Sequence, residues 1–445
     1  MSFLDKHRES PRLFNGTTVG VKAMATESTR REFGRFAAGT ISALSASRVM
    51  GANDRIRMGL IGCGNRGSQI WSIFLKQPEM EPVAVCDVYT PYRDKWQQQS
   101  GPNVRAYKDF RDLLAQRDID AVAIATPDHW HAFMTVKACE AGKDVYCEKP
   151  LSLTVLDGRK MLEAARKHDR VVQTGCQQRS GEHYQQAADL IHAGKMGEVH
   201  TIDAGFMRNA IPGFKPRELT AELPPTLDWE MWLGPAPSRP FDPFRCLYNF
   251  RWFWDYSGGQ MTNWGAHDLD ICRWFVGARA PSEVAGMGGR WVLRDGGETP
   301  DIQNVLYRFD KAVVTWTARE VSAGSPYSIV VHGTLGTMTL NRRGFQIKPE
   351  VTGQPRKPAM EAIQVEGGDL EGRHIQNFLQ CVKSRNRPNG DVEEGHLTAT
   401  MCHLGNISTR LGRGVRWDPQ REEIPGDKEA SGMLSRPYRA PWKLA

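Results

Sequence analysis

At 445 residues, with 40% apolar and 24% charged residues, the chain has the composition of a globular protein long enough for more than one domain. Its net charge of +7 is scattered rather than gathered into Lys/Arg runs, which argues against a nucleic-acid partner. No stretch reaches the roughly eighteen uninterrupted apolar residues that a membrane-spanning helix requires. The nine cysteines form no Cys-x-x-Cys pair, and Cys63, Cys86, Cys147 and Cys272 sit inside apolar patterns. They read as buried packing residues, so neither a disulfide framework nor a metal site is expected.

Residues 1–54 read as a leader outside the fold. Within it, Arg30-Arg31 is followed two residues on by Phe33 and then by the mildly apolar stretch from Phe36 to Leu44. This pattern resembles a twin-arginine export signal and implies a periplasmic or secreted protein, exported already folded; a cytoplasmic chain with a basic leader is the alternative.

The organising stretch begins at Arg55. An apolar run through Ile61 breaks into Gly62-Cys63-Gly64-Asn65-Arg66-Gly67 and resumes as a helix. Gly62 allows a tight turn, Gly64 a close approach of backbone to a pyrophosphate, and Gly67 close packing of helix on sheet, with Asn65 and Arg66 between them. A second buried strand, Pro82 to Cys86, ends in Asp87, twenty residues beyond Gly67. A carboxylate there accepts hydrogen bonds from ribose hydroxyls and repels a 2′-phosphate, so the predicted cofactor is NAD rather than NADP.

Helices are expected over Tyr92 to Gln99 and Asp109 to Gln116, followed by the continuously apolar strand Ala121 to Ala125. That strand runs into Thr126-Pro127-Asp128-His129-Trp130-His131, at the carboxyl end where open α/β sheets bind ligands. A helix to Ala141 and the strand Asp144 to Cys147 lead to Glu148-Lys149-Pro150. Together, the glycine triplet, Asp87, the Thr-Pro-x-x-x-His run and the Glu-Lys-Pro run resemble the glucose–fructose oxidoreductase, inositol dehydrogenase and rhizopine-catabolism (Gfo/Idh/MocA) family, from about Arg55 to about Trp417. The resemblance implies an α/β fold, a Rossmann domain joined to an α/β domain with a large, mostly antiparallel open sheet. It places Thr126, Pro127, His131, Glu148 and Gln177 at the cofactor, makes Lys149 both a cofactor neighbour and a candidate catalytic residue, and implies a homo-oligomer formed through the open sheet.

A helix from Leu156 to His168 and a strand from Val171 to Thr174 close a nucleotide domain of residues 55–175. The second domain, 176–368, begins with a helix over His183 to Ala193 and a strand over Gly197 to Phe206. Pro212 to Pro243, rich in proline, is expected to wrap over the site. After Gly258-Gly259 the spacing turns helical and puts Asn263 and His267 one turn apart on one face. The family pattern is Asp-x-x-x-His, so His267 is a candidate acid/base, while Asn263 can orient a hydroxyl but cannot take a proton. Lys149 must then share the proton transfer, or Tyr256 contributes. Trp252, Trp254, Tyr256 and Trp264 are candidates for stacking on a sugar. Period-2 alternation over Ser282 to Met287, Asn304 to Phe309, Val313 to Arg319, Ser328 to Val331 and Thr337 to Leu340 supplies the large sheet. Amphipathic helices over Gly372 to Lys383 and His396 to Leu411 fall in a segment, 369–417, expected to return toward the nucleotide domain. Residues 418–445 read as a tail.

The function these residues point to is NAD-dependent oxidation of a sugar, glycoside or polyol hydroxyl, the substrate being a small carbohydrate. An exported enzyme meets no soluble NAD pool, so the cofactor is expected to be tightly held and recycled. One alternative is a redox-neutral glycosidase that oxidises, eliminates, adds water and reduces again; another is a non-catalytic NAD-binding sensor.

Overall fold

The computed structural model describes residues 55–216, 219–324 and 328–444. The leader, with Arg30 and Arg31, lies outside them.

The first half builds a parallel sheet from β1 (Ile56–Ile61), β2 (Met80–Cys86), β3 (Arg105–Tyr107), β4 (Ala121–Ile124), β5 (Asp144–Cys147) and β6 (Val172–Thr174) in the order β3-β2-β1-β4-β5-β6. Helices α1 (Asn65–Phe74), α2 (Thr90–Ser100), α3 (Phe110–Leu114), α4 (Asp128–Glu140) and α5 (Val155–Lys167) connect the strands. Every residue of β4 and β5 is buried, as expected for parallel strands covered on both faces. The strand order reverses between β1 and β4, and their carboxyl ends open a crevice there.

The second half follows with α6 (Glu182–His192), β7 (Val199–Met207), α7 (Trp229–Leu233), α8 (Gly259–Asn263) and α9 (Gly265–Val276). Strands β8 (Glu283–Gly289), β9 (Ile302–Arg308), β10 (Val313–Arg319), β11 (Ser328–Gly333), β12 (Gly336–Asn341), β13 (Gly344–Pro349), β14 (Val351–Thr352), β15 (Lys357–Pro358) and β16 (Ile363–Glu366) come next, then α10 (Glu371–Ser384), α11 (Val392–Leu411), β17 (Val415–Arg416) and α12 (Lys428–Gly432). Nine of these strands form one sheet in the order β16-β13-β12-β11-β7-β10-β9-β8-β17, with β14 and β15 pairing separately. Its neighbours are antiparallel except for β7 and β10. Burial alternates along β9 and β10, and their inward residues Val305, Tyr307, Val314 and Trp316 pack with Leu269 and Cys272 of α9 and Met401 and Leu404 of α11.

The structure departs from the sequence reading at the sheet edge and after Gly259. The sheet continues past β12 into β13 and β16; β16 is an edge strand with no buried residue, so it carries little hydrophobic signal. The helix after Gly259 is broken at Trp264 rather than continuous.

Helix α11 joins the halves, packing on α5, α9 and β8. Residues 418–444, which read as a tail, fold back onto the nucleotide half. Glu422 lies between Arg159 of α5 and His396 of α11, whose Nε2 is 2.8 Å from its carboxylate. The Tyr438 hydroxyl donates to Asp157 (2.6 Å), and the Trp442 ring lies 4.8 Å from Trp130. All nine cysteines are buried and free of disulfides.

Candidate active site

A cavity of about 690 Å³ opens at the carboxyl ends of β1, β2, β4 and β5 and runs toward α8, α9 and the β12–β13 turn. At one end β1 breaks at Gly62, whose φ of +90° favours glycine; a Cβ there would stand 2.7 Å from the Thr126 nitrogen. Gly64, Asn65 and Arg66 line this end, where α1 begins. Gly67 does not reach the cavity: a Cβ on it would lie 1.9 Å from the Gly62 carbonyl oxygen, so it sets how closely helix meets turn.

Asp87 closes the same end. Its carboxylate accepts from the backbone N–H of Cys63 (2.7 Å) and of Tyr89 (2.8 Å), which aims it across the crevice. Burial pushes its pKa up to about 6 against those bonds, leaving it ionised at neutral pH. Thr126 Oγ1 and Gln177 Oε1 are buried at the cavity wall without a hydrogen-bond partner among the described residues. A close-approach glycine at a helix N-terminus, an anionic acceptor at the end of β2 and two orphaned oxygens fit a bound NAD. Asp87→Ala is expected to weaken NAD binding at least about tenfold and to narrow the preference over NADP, since ribose hydroxyls lose a charged acceptor. Titration calorimetry with both dinucleotides checks this. In the wild type, affinity should also fall as pH drops through about 6 and the carboxylate is neutralised.

Other residues from the sequence reading line the cavity while their polar atoms serve the scaffold. Both ring nitrogens of His131 lie against carbonyl oxygens, of Thr126 (2.9 Å) and Pro150 (2.7 Å), tying together the loops after β4 and β5. Glu148 accepts from Arg66 Nε (2.8 Å), and Arg66 also reaches Glu371 (2.9 Å). Pro127 lines the wall where α4 begins.

At the opposite end Lys149 Nζ donates to Asn263 Oδ1 (2.8 Å) and to its backbone carbonyl (3.1 Å). Burial, joined by the cations Arg251 and Arg66, brings Lys149 down to about 8, with Glu148 and Asp128 opposing. His267 lines the same wall; burial, with Lys149 and Arg342 adding to it, holds its imidazole well below its ordinary range and therefore neutral. Its Nδ1 is buried with no partner among the described residues. Asn263 and His267 share one cavity wall across the break at Trp264. A buried amine titrating near neutrality beside a neutral imidazole can take up and release a proton from a bound hydroxyl.

Of the four aromatics singled out for stacking, Trp264 alone lines this cavity. Trp252 is fully buried against Phe214 (4.6 Å), Trp254 lies under Arg410 (4.9 Å), and Tyr256 is enclosed by His129 and Trp232, which removes it as a proton donor here. From the proline-rich segment, Met231 and Trp232 do reach the cavity. Sequence reasoning missed Arg342, on the β12–β13 turn with its guanidinium 5.0 Å from the Trp264 ring, and Asp128, buried and bonded to Ser257. It also missed Glu371 at the start of α10. Only Asp128, inside the run at the end of β4, had a local signal.

Residues 56–176 match the family profile described as oxidoreductase family, NAD-binding Rossmann fold, and residues 205–285 and 357–444 match the oxidoreductase family C-terminal alpha/beta domain. The myo-inositol 2-dehydrogenase of Thermotoga maritima is 24% identical over 368 residues, covering 81% of this chain and 98% of that one. A glycosyl hydrolase family 109 protein of a Shewanella species is 30% identical over 166 residues, 35% of each chain. Among solved structures, the WlbA dehydrogenase of Bordetella pertussis in complex with NADH and UDP-GlcNAcA superposes with a TM-score of 0.62 at 20% identity, over 82% of this chain and 99% of that one. With the glycine turn, Asp87 and both sheets in place, the two profiles together span more than half of the sequence, and the chain belongs to the Gfo/Idh/MocA family of NAD-dependent oxidoreductases.

Proposed function

We propose that the protein oxidises a hydroxyl of a sugar, glycoside or polyol, with Lys149 and His267 handling the proton. The observation that carries this reading is the convergence of Lys149, Asn263 and His267 at the end of the cavity that opens, at its other end, on Gly64 and Asp87. When bound, the nicotinamide supplies hydride-acceptor chemistry. Lys149, with its pKa brought down to about 8, is the better-matched base, and the neutral His267 ring orients the hydroxyl. Asn263 holds the lysine in place. Trp264, stacked on Phe206 with Arg342 over its ring, and Trp232, stacked on Trp229, add apolar surface to the cavity wall. The inositol dehydrogenase relative supports a polyhydroxylated ring as substrate.

The likeness to a glycosyl hydrolase family 109 protein supports a second reading, in which oxidation, elimination of the aglycone, hydration and reduction return the cofactor to its starting state. Arg30-Arg31 supports, for either reading, a protein exported from the cytoplasm with NAD held tightly, a cytoplasmic protein being the alternative. The exposed Met287, Leu306 and Val313 on β8, β9 and β10 support a second copy packing on that sheet.

Native mass spectrometry of the purified full-length chain tests the cofactor, and a screen of polyols and glycosides, scored for NADH and for released sugar, tests the chemistry. Bound NADH formed from a polyol or sugar without added NAD, and reoxidised when a carbonyl sugar is supplied, supports the dehydrogenase with a held cofactor, and sugar release without added NAD or net NADH supports the hydrolase. A chain that binds NAD yet turns over no carbohydrate would sink both.

A further inference from the structure

The Asn263 amide is not free to choose which end it offers to Lys149. Its Nδ2 donates to Gln260 Oε1 (3.0 Å), and Gln260 Nε2 donates in turn to Glu320 Oε1 (2.7 Å). Glu320, just beyond β10, is fully buried, and Arg208, just beyond β7, donates to the same oxygen from Nε (2.8 Å). Burial raises the Glu320 pKa against the pull of Arg208, Gln260 and Arg290, but an Oε1 that already takes the Arg208 N–H can only accept, so Gln260 turns its NH2 to Glu320 and its oxygen to Asn263. Asn263 must then spend its NH2 on Gln260 and present its oxygen to Lys149. Two amides in series carry the polarity of one buried carboxylate to the ammonium group.

We infer that Glu320, acting through Gln260, is a positioning residue that locks the Asn263 amide with its oxygen on Lys149 and so sets the proton affinity of that lysine. Burial disfavours the ammonium, and a fixed neutral acceptor restores part of what burial removes. A carboxylate at position 263 would pair with the lysine directly and keep it protonated well above neutral pH; the amide string stabilises the charge more gently. The other groups facing Lys149 are Glu148 and Asp128, which favour its charge, and Arg251, Arg66 and His267, which do not. Glu320 faces Arg208 and Arg290.

This inference rests on the role proposed for Lys149, but its test needs no substrate. Trace acetylation of the intact full-length protein with acetic anhydride, across about pH 6 to 10, reports the titration of Lys149 when its peptide is quantified by mass spectrometry. The wild-type midpoint is expected near 8. Gln260→Met, which keeps the shape and breaks the string, should lower it by about one unit. The pair Glu320→Met with Arg208→Met, which removes the carboxylate together with its cation, should do the same. Asn263→Leu removes the side-chain acceptor, leaves the backbone carbonyl and sets the floor, and Asn263→Asp should raise the midpoint by a unit or more, even when combined with Gln260→Met. A Gln260→Met midpoint at the wild-type value while Asn263→Leu lowers it overturns the relay; unchanged midpoints in both overturn any control of Lys149 by this amide. Should the Glu320 pair fail to fold, Gln260→Met alone decides. A carbohydrate screen without turnover would leave the acetylation midpoints, and so the relay, standing.

Discussion

Lys149→Ala lowers turnover about a hundred- to ten-thousandfold, and His267→Ala by a smaller factor within that range, while both proteins stay folded and retain NAD. The asymmetry follows from the protonation states. An amine titrating near 8 can accept a hydroxyl proton and return it, whereas an imidazole held well below its ordinary range orients the hydroxyl but holds a proton weakly. In the oxidising direction the lysine must be neutral, so wild-type turnover rises as pH passes through about 8, and that limb vanishes from whatever activity Lys149→Ala keeps. Steady-state rates on the screened substrate from acid to alkaline pH, beside NAD binding by calorimetry, check both halves. A His267→Ala enzyme as fast as wild type would take the ring out of the mechanism.

Gly67→Ala costs the nucleotide half about 3 kcal/mol and weakens NAD binding by about a hundredfold. The new methyl group would sit 1.9 Å from the Gly62 carbonyl oxygen and 3.0 Å from its carbon, and both are backbone atoms of the turn itself. The helix must move off the sheet or the turn must open, and either displaces the N–H groups at the start of α1 that would hold the pyrophosphate of a bound NAD. Gly432→Ala is the matched control: nothing lies within 4 Å of its added carbon, so a neutral or slightly stabilising change of about 0.5 to 1 kcal/mol is expected. Thermal unfolding of the two variants side by side, with and without NAD, separates a packing defect from a general intolerance of alanine.

What the sequence made legible was whatever repeats locally. The glycine turn, the acid ending β2 and the apolar β4 and β5 announce themselves within a few residues of chain, because a parallel strand buried on both faces has no polar positions to confuse the pattern. Strands β9 and β10 were equally plain through strict alternation. Illegible were residues whose meaning lies in a distant partner. Arg342 is one of two arginines in a hairpin turn until the fold sets it against Trp264. Glu371 is an ordinary helix-start acid until Arg66 of the glycine turn reaches it across 305 positions. Tyr256 had the right chemistry in the right neighbourhood, and only packing against His129 and Trp232 takes it away from the cavity.

The return of residues 436–444 to the nucleotide half bears on the order in which the protein can be made. Tyr438 reaches Asp157 across 281 positions, and Trp442 and Leu444 join a cluster contributed mainly by α3, α4, α5 and the parallel strands, with Val392 and Ala399 of α11. On a ribosome, the residues that form the cofactor crevice emerge early, whereas Tyr438, which helps seal the back of that domain, emerges 281 positions after its partner Asp157. Until then the rings of Trp130 and Phe133 lack the indole that covers them in the finished fold, so the nucleotide half waits, partly uncovered, until residues 436–444 have been made. Completion of the cofactor domain therefore waits on the segment 436–444, although its sequence signature lies before Pro150.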